Sequence, residues 1–136
     1  MAPKSTSRFS GFTLVEIMIV VAIIAMLVAI AVPNFLRARK RAHATVIIQD
    51  LRLIDAAVDK YALETNRSPG YQVQWADIKS YLKVGTRLYM STHADVLGND
   101  FGTAFSVDIV PAVPTSTFES LSDVVPAEFW SPFRTP

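Results

Sequence analysis

The chain has 136 residues, of which 51% are hydrophobic and 18% are charged, and its formal net charge is +1. This balance excludes a mainly disordered chain, because disorder requires low hydrophobicity and high net charge. It also argues against a nucleic-acid binder that relies on overall basicity. The absence of cysteine excludes disulfide scaffolds, thiol nucleophiles and zinc sites with cysteine ligands.

A long apolar segment covers residues 12–32 and is interrupted only by Thr13 and Glu16. As a helix with a rise of about 1.5 Å per residue it would span roughly 30 Å, the hydrocarbon thickness of a bilayer. Apolar side chains occupy every side of that helix, which is typical of a segment surrounded by lipid or by other protein. We therefore predict a membrane-spanning helix.

Two simple interpretations of this segment leave Glu16 unexplained. A secretory signal could be cut after the small residues of AIA at 29–31, although its apolar region would exceed the usual length of about 7–15 residues. A plain single-span anchor is the second interpretation. An ionised side chain in hydrocarbon costs several kcal/mol, so a carboxylate there is usually paired or functional. The helix dipole near the start of the helix offers Glu16 a purely structural role.

The string GFTLVE at residues 11–16 resembles the processing site of type IV prepilins and type II secretion pseudoprepilins. The resemblance continues through the apolar segment to Pro33, where the family often has proline. It implies cleavage between Gly11 and Phe12 by a dedicated membrane peptidase and N-methylation of Phe12. It also implies that the carboxylate of Glu16 pairs with the terminal amine of a neighbouring subunit during filament assembly.

The same resemblance implies a structural subunit rather than an enzyme, assembled as a homo-oligomeric helical filament. Its partners would be prepilin peptidase, an inner-membrane assembly platform, minor pilins or pseudopilins, and membrane lipid before assembly. It would cross the inner membrane once with its C-terminal part in the periplasm, and then enter a periplasmic or extracellular filament. A secretion pseudopilin and a surface pilin both remain open, as does an anchored or secreted binding module that does not polymerise.

A basic cluster follows the apolar segment and consists of Arg37, Arg39, Lys40 and Arg41. We interpret it as a solvated flank of the span, with anionic headgroups or nucleic acid as alternative contacts; a nucleic-acid partner is not expected. The cluster conflicts with the family topology. Four basic residues follow the span whereas Lys4 and Arg8 precede it, so the positive-inside tendency would place the C-terminal part in the cytoplasm.

Beyond Pro33 the apolar residues recur at helical spacing, which predicts an amphipathic helix continuing to about Asn66. This stripe comprises Ile47, Leu51, Ile54, Val58 and Tyr61, with Asp50, Asp55, Asp59 and Lys60 largely off it. Pro33 lacks the backbone N–H that an interior turn needs, so a kink or local melting is expected there. A turn at residues 67–70 would end the helix.

The remaining residues predict a small head, and the complete fold class is α+β: one long helix with an antiparallel sheet packed on its second half. A short helix is expected at residues 75–82, and strands at 86–90 and 103–110 would form a hairpin. The proline-rich tail would be extended, with a short strand around Val124. The predicted divisions are a leader at 1–11, the apolar helix at 12–33, its amphipathic continuation at 34–66 and the head at 67–136.

One stretch of the head resembles major pseudopilins, in which an Asp-x-x-Gly-x-x-Tyr sequence lies near a loop that can bind calcium. Here it reads Asp95-x-x-Gly98-x-x-Phe101, and Asp95, Asp100 and Asp108 offer the hard oxygen ligands that calcium prefers. Clusters of Gly, Asn and Asp also simply form turns. We expect no other cofactor, since no zinc spacing, phosphate-binding loop or nucleophile elbow is present.

Overall fold

The computed structural model describes residues 11–136, so Lys4 and Arg8 of the predicted leader lie outside the described residues. The chain forms two units that meet in sequence between Leu36 and Arg37. The second unit, residues 37–136, is called the globular unit below. It contains both the predicted amphipathic helix and the predicted head, since the apolar face of that helix forms part of the head's own core.

The first element, helix α1, runs from Leu14 to Thr65 and continues through Pro33. Its C-terminus is closed by Asn66, which adopts a left-handed conformation with φ of 52°. The N–H of Arg67 then donates to the carbonyl of Ala62 at 2.9 Å, the bond that defines a Schellman cap. The predicted helix end is therefore confirmed to within one residue.

The core of the globular unit forms along one face of α1, as the spacing predicts. Ile47, Leu51 and Ile54 are fully buried, Val58 is buried, and Tyr61 packs against the same cluster while remaining partly exposed. The face is wider than the predicted stripe, since it also includes Ala44, Ile48, Ala57 and Ala62. At about 1.5–3 kcal/mol for each large apolar side chain removed from water, this face makes a substantial contribution to the unit's stability.

A two-stranded antiparallel sheet confirms the α+β class. Strand β1 comprises Gln72–Gln74 and strand β2 comprises Ala104–Ser106, with Val73 paired to Phe105 at the centre. Both central side chains are buried, whereas their neighbours along each strand are more exposed. Period-two alternation thus directs one face of this small sheet towards the core.

The predicted hairpin between residues 86–90 and 103–110 is wrong. The first of these segments is a short helix, α3, at Arg87–Met90, and the partner of β2 is β1. The hydroxyl of Thr86 accepts a hydrogen bond from the N–H of Tyr89 at 3.3 Å and so caps the helix. This cap outweighs the strand-like composition of the segment, and Leu88 still reaches the core.

Helices also occupy most of the other connections. The predicted helix at 75–82 is confirmed as α2, Trp75–Ile78, followed by a 3₁₀ turn at Lys79–Tyr81. In the tail, where we predicted an extended chain with a strand near Val124, the structure has helix α4 at Thr115–Leu121 and a 3₁₀ turn at Ala127–Trp130. Apolar contacts explain the difference, because Leu121 and Trp130 are both buried in the core.

A largely buried ion pair joins α1 to α3. Contrary to the sequence prediction, Asp50 lies on the buried face of α1, with 6% of its surface exposed. Its carboxylate pairs with the guanidinium of Arg87, which also donates to the carbonyl of Ala94 at 3.2 Å. One arginine therefore connects α1, α3 and the loop that follows α3.

The basic cluster divides into two pairs of residues. Lys40 contacts both carboxylate oxygens of Asp123 at 2.9 and 2.7 Å, and the Nε of Arg41 donates to the carbonyl of Val124 at 3.4 Å. The interpretation as a solvated flank is compatible with these surface contacts, since Lys40 is only half-buried and Arg41 is exposed. It holds for Arg37 and Arg39, which are exposed and make no hydrogen bond or salt bridge within residues 11–136.

Replacing Asp50 with alanine is expected to lower the free energy of unfolding by about 2 kcal/mol. Loss of the carboxylate leaves the guanidinium of Arg87 without its charged partner. Partial exposure of that side chain to water reduces the resulting loss of stability. Denaturant unfolding of the full chain in detergent, followed by circular dichroism, measures the change. Asp55→Ala is the matched control, because burial and the neighbouring Asp59 raise the pKa of Asp55, so that folding disfavours its charged form. Equal losses in both variants would contradict the assignment.

The contact with Lys40 also predicts a pH dependence. The hydrogen bond and charge of Lys40 lower the pKa of Asp123, so the contact contributes stability above the unfolded-state pKa and loses it as the pH falls through the native pKa. Lys40→Gln is expected to move the pKa of Asp123 back towards its ordinary value. An NMR titration of the Asp123 carboxylate measures this, with Arg52→Gln as control. An unchanged titration in Lys40→Gln would disprove the contact in solution.

Candidate functional site

The predicted processing and assembly residues lie at the beginning of α1, where they form a capping box. The carboxylate Oε2 of Glu16 accepts from the backbone N–H of Thr13 at 2.8 Å and from its hydroxyl at 3.0 Å. In return, the hydroxyl of Thr13 lies 3.2 Å from the N–H of Glu16 and accepts from it. Two N–H groups that would lack helical partners are thereby satisfied.

The sequence contains the capping-box pattern Thr13-x-x-Glu16, a signal that was not among the predictions. It gives Glu16 a definite local role, consistent with the structural interpretation at the helix start. Both hydrogen bonds from Thr13 reach the same oxygen, and within residues 11–136 the other oxygen, Oε1, accepts none. The side chain is exposed. One carboxylate can therefore cap its own helix and accept a further donor at the same time.

The residues before the helix show no structural reason for glycine. No atom lies within 4 Å of the position that a Cβ would occupy on Gly11, and its φ is outside the left-handed region. The residue that follows, Phe12, has 80% of its surface exposed. Neither a turn nor close packing within the described chain accounts for the pair Gly11-Phe12.

The apolar segment presents its side chains outward on all sides. Every residue from Gly11 to Leu36 is exposed, and α1 is the one helix in the described part of the chain long and apolar enough to cross a membrane. An exposed apolar surface of this extent marks a site of contact with lipid or with other protein. Pro33 lies within the helix, and a bend at that position stays a prediction.

The first of the three predicted calcium ligands, Asp95, is committed to hydrogen bonds within the chain. It is 4% exposed, and its Oδ1 accepts from the N–H groups of Leu97 at 2.8 Å and Asn99 at 2.9 Å. Its Oδ2 accepts from the hydroxyl of Thr117 on α4. Asp95 therefore stabilises the loop in which it lies through hydrogen bonds and links that loop to α4.

The second predicted ligand, Asp100, lies at the other end of the same loop. The N–H of Gly102 donates to its Oδ1 at 2.7 Å and lowers the pKa of Asp100, with a smaller contribution from His93 at 2.5 Å. The third, Asp108, has a left-handed φ of 63° and lines a surface cleft beside the C-terminus of α1.

The predicted calcium ligands do not come together. Within residues 11–136 no three His, Cys, Asp or Glu side chains form a group that could hold a metal ion. The alternative interpretation, that the cluster makes turns, agrees with the geometry, since Gly98 has a left-handed φ of 88° and its N–H donates to the carbonyl of Asp95 at 3.1 Å. Phe101 then buries its ring at the end of the loop.

Comparisons with known proteins agree with the local features of the N-terminal segment. The family model described as the prokaryotic N-terminal methylation motif matches residues 6–32. The chain is 37% identical over 62 residues to type II secretion system core protein G of Aeromonas hydrophila, covering 46% of this chain and 43% of that protein. It is 43% identical over 63 residues to the protein of the same name from Pseudomonas aeruginosa, covering 46% and 44%.

A pilus protein is similar to the same degree. The chain is 46% identical over 56 residues to the type IV wide pilus major component PilA4 of Thermus thermophilus, covering 41% of this chain and 43% of that protein. The chain thus spans less than half the length of these curated relatives. No solved structure matches it. In its methylation motif and the segment that follows, the chain is thus similar to type IV pilins and type II secretion pseudopilins.

Proposed function

We propose that this chain is the precursor of a structural subunit of a pilus-like filament and has no catalytic role of its own. The observation that carries the proposal is the exposed apolar surface of residues 12–36, which begins beside the capped carboxylate of Glu16. A surface of this kind requires lipid or other subunits around it. Packing of these helices against one another would supply that environment in a filament.

Processing would occur between Gly11 and Phe12. Since the structure gives no packing or backbone reason for Gly11, its identity is best explained by recognition by a peptidase, in which a small residue permits close approach to the chain. Cleavage there would remove the basic leader and leave the apolar helix on the mature protein. Phe12 would then carry a cationic amine, which prepilin peptidase would methylate.

Assembly would depend on Glu16 through the oxygen that the capping box leaves free. Because Oε2 already accepts hydrogen bonds from Thr13, Oε1 would accept a hydrogen bond from the cationic amine that Phe12 of a second subunit carries. In an apolar surrounding each of these charges is costly alone, and pairing offsets much of that cost. A subunit docked out of register would leave both charges buried and unpaired, so the pair would select the correct register.

The proposed cellular setting follows from this role. Before assembly the subunit would cross the inner membrane once, with the globular unit in the periplasm, and it would then join a periplasmic or extracellular filament. Its partners would be copies of itself, an inner-membrane assembly platform and minor pilins or pseudopilins. Relatives are named for both branches of the family. The lack of cysteine favours the type II secretion branch, because surface pilins often close a C-terminal loop with a disulfide.

Mass spectrometry of the N-terminus, on protein taken from native envelopes, tests the processing step. The expected result is a chain that begins at Phe12 and carries a methyl group on its amine. Gly11→Leu is expected to leave the leader attached, because a bulky side chain would occupy the space that recognition requires. A chain beginning at Val32 would indicate a secreted soluble domain, and an intact Met1 or Ala2 would indicate a simple membrane anchor; either would overturn the proposal.

Glu16→Gln separates the two roles of this residue. Glutamine at this position can still complete the capping box, but it cannot pair with an amine as an ion. Filament yield, measured by electron microscopy of sheared cells, is expected to fall more than about tenfold. Thr13→Val is the matched control, since it loosens the cap and leaves the carboxylate in place. Filament yields that fall with Thr13→Val but not with Glu16→Gln would assign Glu16 to capping alone.

A further inference from the structure

An apolar groove lies beside the basic cluster, within the globular unit. It has a volume of about 260 Å³ and is lined by Arg41, Thr45, Val124, Val125, Pro126 and Phe129. Phe129 packs edge-on against the buried Trp130 with ring centroids 5.5 Å apart, and 38% of its surface remains exposed. The groove is therefore an aromatic and aliphatic surface with a guanidinium at its rim, large enough for several methylene groups. This surface is called the Arg41 groove below.

The charges around the Arg41 groove are predominantly positive. Lys40 is neutralised by Asp123, and Arg41 reaches a backbone carbonyl without losing its charge. Arg37 and Arg39 are exposed and lack a hydrogen-bonded partner within residues 11–136. The acidic residue that remains close in sequence to the groove is Glu128, which is exposed. Three arginines thus offer donors suited to a phosphate, next to a surface suited to an acyl chain.

The position of these arginines, close in sequence to the predicted span, indicates that the ligand of the Arg41 groove is a lipid. The end of the predicted span, Val32, is five residues before Arg37 and nine before Arg41, so at the rise of a helix at most about 15 Å of chain separates them. Residues at this distance from a span lie at the level of the lipid headgroups. Arginine and aromatic side chains are characteristic of that interface.

We propose that the Arg41 groove, with Arg37 and Arg39, binds an anionic phospholipid of the bilayer while the subunit waits in the membrane. The arginines contact the phosphate, and the groove covers the first methylenes of one acyl chain. This inference rests on the membrane stage of the proposed function. It adds a lipid contact of the globular unit to the contact made by the span, and this additional contact has to be released when the subunit enters a filament.

Full chain reconstituted into lipid nanodiscs tests this contact. Because the chain lacks cysteine, Ala127→Cys provides a unique exposed position for an environment-sensitive fluorophore next to the groove. Discs of phosphatidylcholine are compared with discs that contain three parts of phosphatidylglycerol in ten. A blue shift in the anionic discs alone, reversed by high salt, is expected because salt screens the arginine–phosphate attraction.

Two double variants that lose the same amount of charge distinguish binding at the Arg41 groove from nonspecific attraction of the protein to anionic lipid. Arg37→Gln with Arg39→Gln is expected to weaken docking in anionic discs roughly thirtyfold, at about 1 kcal/mol for each arginine. Arg52→Gln with Lys60→Gln, farther along α1, is expected to leave docking unchanged. Equal shifts in both kinds of disc, or equal losses in both variants, would overturn the proposal.

A third outcome identifies a protein partner. If Arg37→Gln with Arg39→Gln leaves the lipid signal unchanged and lowers filament yield, the arginines contact a second subunit and the lipid proposal fails. The nanodisc measurement requires neither cleavage nor assembly. It therefore fails or succeeds independently of the N-terminal mass and the filament yield that test the proposed function.

Discussion

The side chains of residues 14–36 form an apolar surface that nothing in the described chain covers, and the rest of the molecule has to be understood around that constraint. Lipid can cover the surface, and so can the same surface of other copies, because hydrocarbon and packed aliphatic side chains are similar environments. Transfer from one to the other changes little in hydrophobic free energy. In the proposed filament, the direction and precision of assembly would then come from the polar groups at the two ends of the segment.

At the N-terminal end, one carboxylate has a local role as a helix cap and, under the proposed function, an intermolecular role as well. The capping box fixes the rotamer of Glu16 before any partner arrives, so less side-chain entropy is lost when a second donor binds. In the proposed filament, the capped glutamate would therefore be a preorganised acceptor for the amine. This also explains why Thr13 matters less than Glu16 in our scheme: Thr13 orients the carboxylate, whereas Glu16 carries the charge that selects the register.

The sequence predicted the features that repeat over many residues and failed on features that depend on distant partners. The buried face of α1 was predictable because four helical turns of apolar spacing agree with one another. The partner of β2 was not, since β1 lies about thirty residues earlier and is only three residues long. The burial of Asp50 depends on Arg87, thirty-seven residues away, which no local pattern indicates. At the candidate site, the roles that the motif predicts for Gly11, Phe12 and Glu16 stay predictions, and the capping geometry that leaves one oxygen of Glu16 free required coordinates.

At the C-terminal end, the basic cluster has different contacts before and after the globular unit folds. During insertion the chain is unfolded and all four basic residues count, so the cluster opposes export of the C-terminal part. Once the globular unit folds, Asp123 neutralises Lys40 and Arg41 turns to the carbonyl of Val124. Within residues 11–136, Arg37 and Arg39 are then the two cluster residues that make no hydrogen bond, and the charge of Arg37 also contributes to the lowered pKa of Asp123. Under the proposed lipid contact, a charge pattern unfavourable for insertion would hold the folded subunit at an anionic bilayer until assembly.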